Sequence, residues 1–207
     1  FIMARLFAKF PEKRSPADFI NEVIEPVRRL YQAGVRYFEV HNEPNLHHPD
    51  GPEGMWVVWQ NGKEFGDFLL ESVRLLRQQL PSDALFGWPG ISPGGDVTLP
   101  SGARLRYDSK RFLDEGDFAA RQMDFICMHA YWTDNYMTAI GEIREYCDRY
   151  PDKVIFVTEF SNPADWVSKD AKGQQYTDFY AASRALPSNL GATFSYILSA
   201  SGGFSHE

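Results

Sequence analysis

Two glutamates follow apolar, strand-like stretches of the sequence and together could carry out acid–base chemistry. Glu43 follows residues 37–40 and Glu159 follows residues 154–157, so the two carboxyl groups are 116 residues apart along the chain. A carboxyl group at the mouth of a parallel sheet is partly desolvated, and unequal surroundings can separate two such groups into an acid and a base. The hydrolysis of a glycosidic bond requires a pair of this kind. A single glutamate at a strand end is more often a solvated charge, so the pair is the signal.

The elements that must position these side chains alternate between strands and helices. Ser15 and Pro16 are suited to a helix N-cap and a first helical position, and apolar residues recur at helical spacing as far as Gly34. Strands separated by helices form a parallel sheet with right-handed crossovers, so the predicted fold class is α/β. The pattern predicts strands at 2–8, 35–41, 84–91, 123–132, 154–160 and 192–198, and further helices at 65–80, 111–121, 137–150 and 176–185.

Two α/β architectures fit this order, and the polar residues discriminate between them. A doubly wound nucleotide-binding sheet usually has a glycine-rich loop after its first strand, and residues 7–16 contain no glycine. In a (β/α)8 TIM barrel the chemistry lies at the C-terminal ends of the strands. We therefore predict a (β/α)8-type barrel, with about six βα units in a single domain, 1–207. The polar residues at the predicted strand ends are Arg5, Asn42, Glu43, His129, Tyr131 and Glu159.

The composition excludes several classes of partner. A net charge of -7 and an isoelectric point near 5.3 argue against a nucleic-acid surface, which needs clustered Lys and Arg. No apolar run is long enough to span a membrane. Cys127 and Cys147 are too few for a disulfide framework, and we expect no bridge between them. The opening residues show no leader pattern, so we expect a signal peptide to be absent or already removed, and the compartment, extracellular or cytoplasmic, stays open.

Aromatic residues make up 15% of the chain, and several lie near predicted strand ends, where flat rings can stack on sugars. Trp132 directly follows His129, Ala130 and Tyr131 and is the best candidate for sugar stacking. Trp166 also lies just beyond a predicted strand. For Trp56 and Trp59, sugar stacking and packing against the barrel are equally good interpretations.

Histidines near Glu43 raise the alternative of a metal site. His41, His47 and His48, together with Asp50, contain ligand types that suit zinc. No repeated ligand spacing supports this interpretation, and solvated loop histidines are the more common explanation. We predict no catalytic metal and no cofactor.

Three stretches of the chain carry a resemblance to a known family. HNEPN at 41–45, DFICMHAYW at 124–132 and VIFVTEFSN at 154–162 are similar to the fourth, sixth and seventh strands of the clan A glycoside hydrolases. These are retaining (β/α)8 enzymes that include cellulases, mannanases and β-xylosidases. The resemblance spans nearly the whole chain, from the third strand of such a barrel to the eighth, and implies an oligo- or polysaccharide substrate.

Roles for individual residues are implied by this resemblance. Glu43 matches the general acid/base and Glu159 the nucleophile of the retaining, double-displacement mechanism. Asn42 matches the residue that hydrogen-bonds the sugar 2-hydroxyl. The further substrate-binding candidates are His129, Tyr131, Arg5, Trp132 and His41.

The resemblance and the required chemistry also predict the surroundings of the two carboxyl groups. Tyr131 matches the tyrosine that steadies the nucleophile, His129 a residue of the sugar subsite, and Arg5 an arginine near the nucleophile. A donor beside Glu159 would stabilise its anion, whereas Glu43 must start protonated and should have fewer donors and more apolar cover. A retaining mechanism further predicts carboxyl groups about 5 to 5.5 Å apart.

Side-chain alternation tests these assignments in part. On a regular strand the neighbours Asn42 and Glu43 point to opposite faces, so both can serve the site only if the strand end is irregular, and we expect a β-bulge there. Glu39 shares a face with Glu43, and we interpret it as one half of a buried pair with Arg5 or Arg36.

Two departures from the family pattern keep other readings open. Ile197 stands where the family usually has a tryptophan under the sugar, unless Tyr196 or Phe204 takes that place. The first two strands of a (β/α)8 barrel are not visible, so we expect a fragment, or a partner that covers the open sheet edges. The alternatives are a non-catalytic carbohydrate-binding protein on a degenerate barrel, and an enzyme of different chemistry, such as a metal-dependent hydrolase or a lyase.

Overall fold

The computed structural model describes residues 1–8, 15–46, 59–100, 102 and 104–196. Several residues that entered the sequence-based predictions lie outside these ranges. They are His47, His48, Asp50, Trp56, Ile197 and Phe204.

The described residues form an alternation of strands and helices with one additional hairpin. In chain order the elements are β1 (Met3–Leu6), α1 (Pro16–Gln32), β2 (Tyr37–Val40), α2 (Gly62–Arg77), β3 (Leu85–Trp88), β4 (Val97–Thr98), β5 (Arg104–Arg106), α3 (Ser109–Ala120), β6 (Phe125–Tyr131), α4 (Tyr136–Arg149), β7 (Val154–Ser161), α5 (Lys169–Ser183) and β8 (Leu190–Ser195). The six strands of the larger sheet include every strand predicted from the sequence. The α/β class and the barrel-type succession of parallel strands are confirmed.

The chain divides into two compact units, Phe1–Ile126 and Cys127–Glu207. In the first unit the strand order is β1-β2-β3-β6, with parallel registers that pair Arg5 with Glu39 and Trp88 with Ile126. Strand β6 begins in the first unit and ends in the second, where the order is β6-β7-β8. The single domain predicted from the sequence stays a prediction.

Helix α1 shows why the first helix was predictable from local sequence. Ser15 caps the helix by accepting a hydrogen bond from the Asp18 backbone, and Asp18 returns a bond to the Ser15 backbone. Pro16 occupies the first helical position, where its missing N–H costs nothing. One apolar face of the helix is buried, namely Phe19, Ile20, Val23, Ile24 and Val27.

Helix α5 begins at Lys169, seven residues before the predicted start at 176. Ser168 caps it by accepting a bond from the Ala171 backbone. The helix buries only Lys172 and Phe179, so its sequence carries little of the apolar periodicity that marks a helix.

The segment between β3 and α3, predicted as a loop, contains the antiparallel hairpin of β4 and β5. These strands have two and three residues, which is too short for an apolar–polar alternation to be recognised. A bridge between Leu46 and Arg106 joins the loop after β2 to this hairpin.

The predicted bulge after β2 is replaced by a different irregularity. Strand β2 ends at Val40, and His41 and Glu43 then adopt the left-handed backbone region, with φ of 81° and 40°. A left-handed residue turns the side chains that follow it, and it does so without the extra residue of a β-bulge. Asn42 and Glu43 therefore need not point to opposite faces, as they would on a regular strand.

Other sequence-based expectations concern cysteines and membranes. Cys127 and Cys147 are both buried, and no disulfide bond joins them. Among the described residues, no helix has the length and apolar content needed to cross a membrane.

Candidate active site

Glu43 lies three residues beyond β2, in a loop that backbone hydrogen bonds tie to the segment after β3. Its amide donates to the Gly90 carbonyl at 2.9 Å, and its own carbonyl accepts from the Leu46 amide at 2.9 Å. The side chain is half-buried. Glu43 is thus placed at the C-terminal end of a parallel strand, the position from which barrel enzymes act on their substrates.

Glu39, for which we expected a partner in Arg5 or Arg36, pairs with Arg5, and the pair is partly buried. They are register partners on β1 and β2, and Arg5 Nε donates to Glu39 Oε2 at 2.8 Å. The other oxygen, Oε1, accepts from the Gly90 amide at 2.8 Å. Because Gly90 also accepts from Glu43, the pair supports the loop that carries Glu43. The predicted contact of Arg5 with substrate stays a prediction.

Asn42 is partly buried, and its side-chain oxygen faces no donor in the described part of the chain. Oδ1 has almost no solvent exposure and accepts no hydrogen bond there. Buried carbonyl oxygens normally have a partner, and a sugar hydroxyl would supply one. The predicted role of Asn42 in binding the 2-hydroxyl stays a prediction that this geometry allows.

His41 corrects the prediction that it binds substrate. Its side chain is completely buried, and its ring lies 5.3 Å from Phe7, 5.8 Å from Phe65 and 6.3 Å from Trp59 in edge-on contacts. Burial lowers its pKa to about 4, so the ring is neutral at pH 7. A side chain enclosed in this way packs the core and has no surface for a sugar. Trp59 is also buried, so of sugar stacking and packing against the barrel, the structure favours packing.

Glu159 lies near the end of β7, and its side chain faces two predicted partners on β6. The Tyr131 hydroxyl donates to Glu159 Oε2 at 2.6 Å, and His129 Nε2 lies 3.5 Å from Oε1. Glu159 is only 8% exposed, so the tyrosine hydrogen bond acts in a poorly solvated setting and favours the carboxylate anion. The tyrosine contact expected from the family pattern is present.

His129 and Trp132 are more enclosed than predicted. The His129 side chain has no solvent exposure, so the contact that the structure shows is with Glu159 rather than with solvent. The Trp132 ring stacks on Phe160 and Phe179 with interplanar angles of 12° and 19°, and its indole N–H donates to Gln175. Trp132 is 3% exposed, which corrects its assignment as a sugar-stacking ring. Trp166, in the loop after β7, is 71% exposed.

Sequence reasoning missed Asn45, the last residue of HNEPN. Its amide is fully buried and makes three hydrogen bonds, to both backbone groups of Ser92 and to the Tyr107 carbonyl. The available signal was a second Asn directly after Glu43-Pro44, since asparagine in a loop commonly bonds backbone groups.

A known family matches part of this chain. Residues 100–189 match a family described as the glycosyl hydrolase catalytic core. The matched stretch contains β6, β7 and three site residues, His129, Tyr131 and Glu159, whereas Glu43 lies outside it. The match covers less than half of the chain, and together with the fold it supports a similarity to glycoside hydrolases of the (β/α)-barrel type. No curated protein is similar enough to this chain to count as a match.

Particular solved structures share the fold. An endo-β-1,3-glucanase of group GH128 from Sorangium cellulosum is 19% identical, with a TM-score of 0.57 over 86% of this chain and 66% of that one. A second GH128 endo-β-1,3-glucanase, from Amycolatopsis mediterranei and in complex with laminaritriose, is 19% identical, with a TM-score of 0.59 over 95% and 71%. The β-glucuronidase of Bacteroides uniformis is 10% identical, with a TM-score of 0.62 over 94% and 23%. The chain thus spans about two thirds of the length of the first glucanase, and these identities show the fold alone.

Proposed function

We propose that this protein is a retaining β-glycosidase that acts on β-1,3-glucan, with Glu43 as general acid/base and Glu159 as nucleophile. The observation that carries the proposal is the setting of Glu159 at the end of β7, where Tyr131 donates to its carboxylate at 2.6 Å. This residue lies inside the stretch that matches the glycosyl hydrolase catalytic core. The substrate class rests on the fold shared with β-1,3-glucanases, one of them in complex with laminaritriose.

In the first step a carboxylate oxygen of Glu159 attacks the anomeric carbon of the sugar. The bond to the glycosidic oxygen breaks, and the proton of Glu43 passes to that oxygen, so the leaving sugar departs as an alcohol. The anomeric configuration is inverted, and a covalent glycosyl-enzyme remains.

In the second step Glu43, now ionised, removes a proton from water. The water oxygen attacks the same carbon, the bond to Glu159 breaks, and the second inversion restores the original configuration. Tyr131 holds Glu159 in one orientation throughout and favours its anion before attack and after release. Asn42 Oδ1 would accept a hydrogen bond from the sugar 2-hydroxyl.

The test compares Glu43→Ala and Glu159→Ala on aryl β-glucosides and β-1,3-gluco-oligosaccharides, with and without azide. Glu159→Ala should lower kcat by about 10⁴-fold or more, because no covalent intermediate can form. Azide should then attack the sugar directly and give the inverted α-glycosyl azide. Glu43→Ala should lower kcat by about 10² to 10⁴-fold, because proton transfer is lost. Azide needs no general base, so it should intercept the glycosyl-enzyme and give the β-glycosyl azide.

The matched control is Glu71→Gln, which removes one charge from an exposed pair with Arg74 on α2 and should leave kcat unchanged. Azide products of the same configuration from both alanine variants would contradict the assignment of roles. Binding of β-glucan by the parent protein without any turnover would favour the non-catalytic binding protein instead.

A further inference from the structure

The backbone of the loop that carries Glu43 adopts conformations of high energy, so contacts with other segments must stabilise it. His41 and Glu43 are non-glycine residues with φ of 81° and 40°, in the left-handed region. Each such residue costs on the order of 1 kcal/mol relative to the ordinary conformations, so surrounding contacts must hold the loop in place.

Asn45 makes the densest set of these contacts. Its Oδ1 accepts from the Ser92 amide at 2.8 Å, while its Nδ2 donates to the Ser92 carbonyl at 2.8 Å and to the Tyr107 carbonyl at 3.0 Å. Its own carbonyl accepts from the Tyr107 amide at 2.8 Å. One side chain therefore binds the loop after β2 to the segment after β3 and to the residue that follows β5.

The far end of this network is itself anchored to helices. The Tyr107 hydroxyl donates to Glu115 Oε1 at 2.7 Å, and Glu115 Oε2 accepts from the Gly62 amide at 2.9 Å. Glu115 lies on α3 and Gly62 begins α2, so Asn45 connects the Glu43 loop to two helices of the same unit.

Only a primary amide satisfies all three side-chain contacts of Asn45. Aspartate keeps an acceptor for Ser92 but has no donor for the two carbonyls, and alanine leaves all three backbone groups without this partner. Ser92 and Tyr107 are 8% and 6% exposed, so water replaces the lost bonds poorly. Asn45 is itself completely buried and has no surface for a substrate.

We infer that Asn45 is a positioning residue that holds the Glu43 carboxyl group where it can donate a proton to the leaving group. This inference rests on the proposed role of Glu43 as the acid/base. Its consequence is selective: displacement of Glu43 slows bond cleavage only where the leaving group needs a proton. An activated phenol can depart without a proton, because its oxygen is stable as an anion.

The experiment measures kcat/KM of Asn45→Ala and Asn45→Asp on aryl β-glucosides that differ only in the leaving group. Asn45→Ala should lower kcat/KM about 100-fold for unsubstituted phenol and less than about 3-fold for 2,4-dinitrophenol. Asn45→Asp should show the same dependence on the leaving group. If Asn45→Ala does not fold, the isosteric Asn45→Asp provides the result.

Asn189 is the matched control. Its Nδ2 donates to the carbonyls of Cys147, Tyr150 and Lys153, so it also binds backbone groups, but it precedes β8 at the strand end opposite to Glu159. Asn189→Ala should lower thermal stability without any dependence of kcat/KM on the leaving group. If kcat/KM of the Asn45 variants fell equally on both substrates, or did not fall, the inference would be overturned. If Glu43→Ala itself shows no leaving-group dependence, the proposed role of Glu43 fails instead.

Discussion

Glu43 and Glu159 are held by different kinds of structure, one in each compact unit. Glu43 lies in a loop with left-handed residues, and its position depends on backbone contacts to Gly90 and on the buried amide of Asn45. Glu159 lies within strand β7, whose register with β8 shifts between Val157 and Phe160, and side chains from the neighbouring strand β6 contact its carboxylate. Side-chain contacts between strands thus hold Glu159, whereas the loop that carries Glu43 needs a network of buried polar contacts to backbone groups.

The helices of the two units also pack differently. In the first unit, a Cβ added at Gly62 on α2 would meet the Phe112 carbonyl of α3, and one added at Gly116 on α3 would meet the Trp88 ring of β3, so neither glycine has room for a side chain. In the second unit, Gly141 on α4 and Gly173 on α5 have no atom within 4 Å of an added Cβ. At these helical glycines, packing is therefore tighter in the first unit than in the second.

The strongest test of this difference is Gly62→Ala. The new Cβ would lie 1.8 Å from the Phe112 carbonyl oxygen, which belongs to the backbone of α3 and cannot rotate away. We expect the free energy of unfolding to fall by about 3 kcal/mol or more, measured by chemical denaturation. Lys63→Ala, at the next position and in an exposed pair with Asp67, should change it by less than about 0.5 kcal/mol. A small effect of Gly62→Ala would show that α2 and α3 can separate freely.

A second test removes the hydroxyl that contacts Glu159. Tyr131→Phe should lower kcat about 10 to 100-fold, because a hydrogen bond to a charged group contributes about 1.5 to 3 kcal/mol. The acidic limb of the kcat/KM profile should move to higher pH, because the lost donor favoured the anion.

Tyr180→Phe is the control for this variant, since no described residue bonds the Tyr180 hydroxyl, and its kcat should match that of the parent. If Tyr131→Phe retained both kcat and the pH profile, side-chain support of Glu159 would be unimportant, and the contrast with the Glu43 loop would disappear.

The smallest expected effect has the opposite sign. Gly141→Ala places a methyl group in open space within α4, so the unfolded chain loses freedom while the folded state loses no contact. The free energy of unfolding should rise by about 0.5 to 1 kcal/mol, measured by chemical denaturation. A decrease would mean that the helices of the second unit pack as tightly at their glycines as α2 and α3 do.

Much of the architecture could be predicted because its signals are local. The cap at Ser15, the apolar face of α1 and the apolar strands before Glu43 and Glu159 are properties of adjacent residues. A pair of Glu39 with Arg5 or Arg36 was expected, and the structure shows Arg5 as the partner. Helix α5 began earlier than predicted because only two of its residues are buried, and the hairpin after β3 was missed because its strands are so short.

The sequence by itself determined the succession of strands and helices and the strand ends at which the two glutamates stand, because periodicity and capping act over a few residues. Tertiary structure decided which of the neighbouring side chains are enclosed. Trp132 is covered by Phe160 and Phe179, and His41 by aromatic residues of α2. It also decided that Asn45 finds its partners 47 and 62 residues away. Burial and hydrogen bonding at such separations depend on how the elements pack, which no local pattern records.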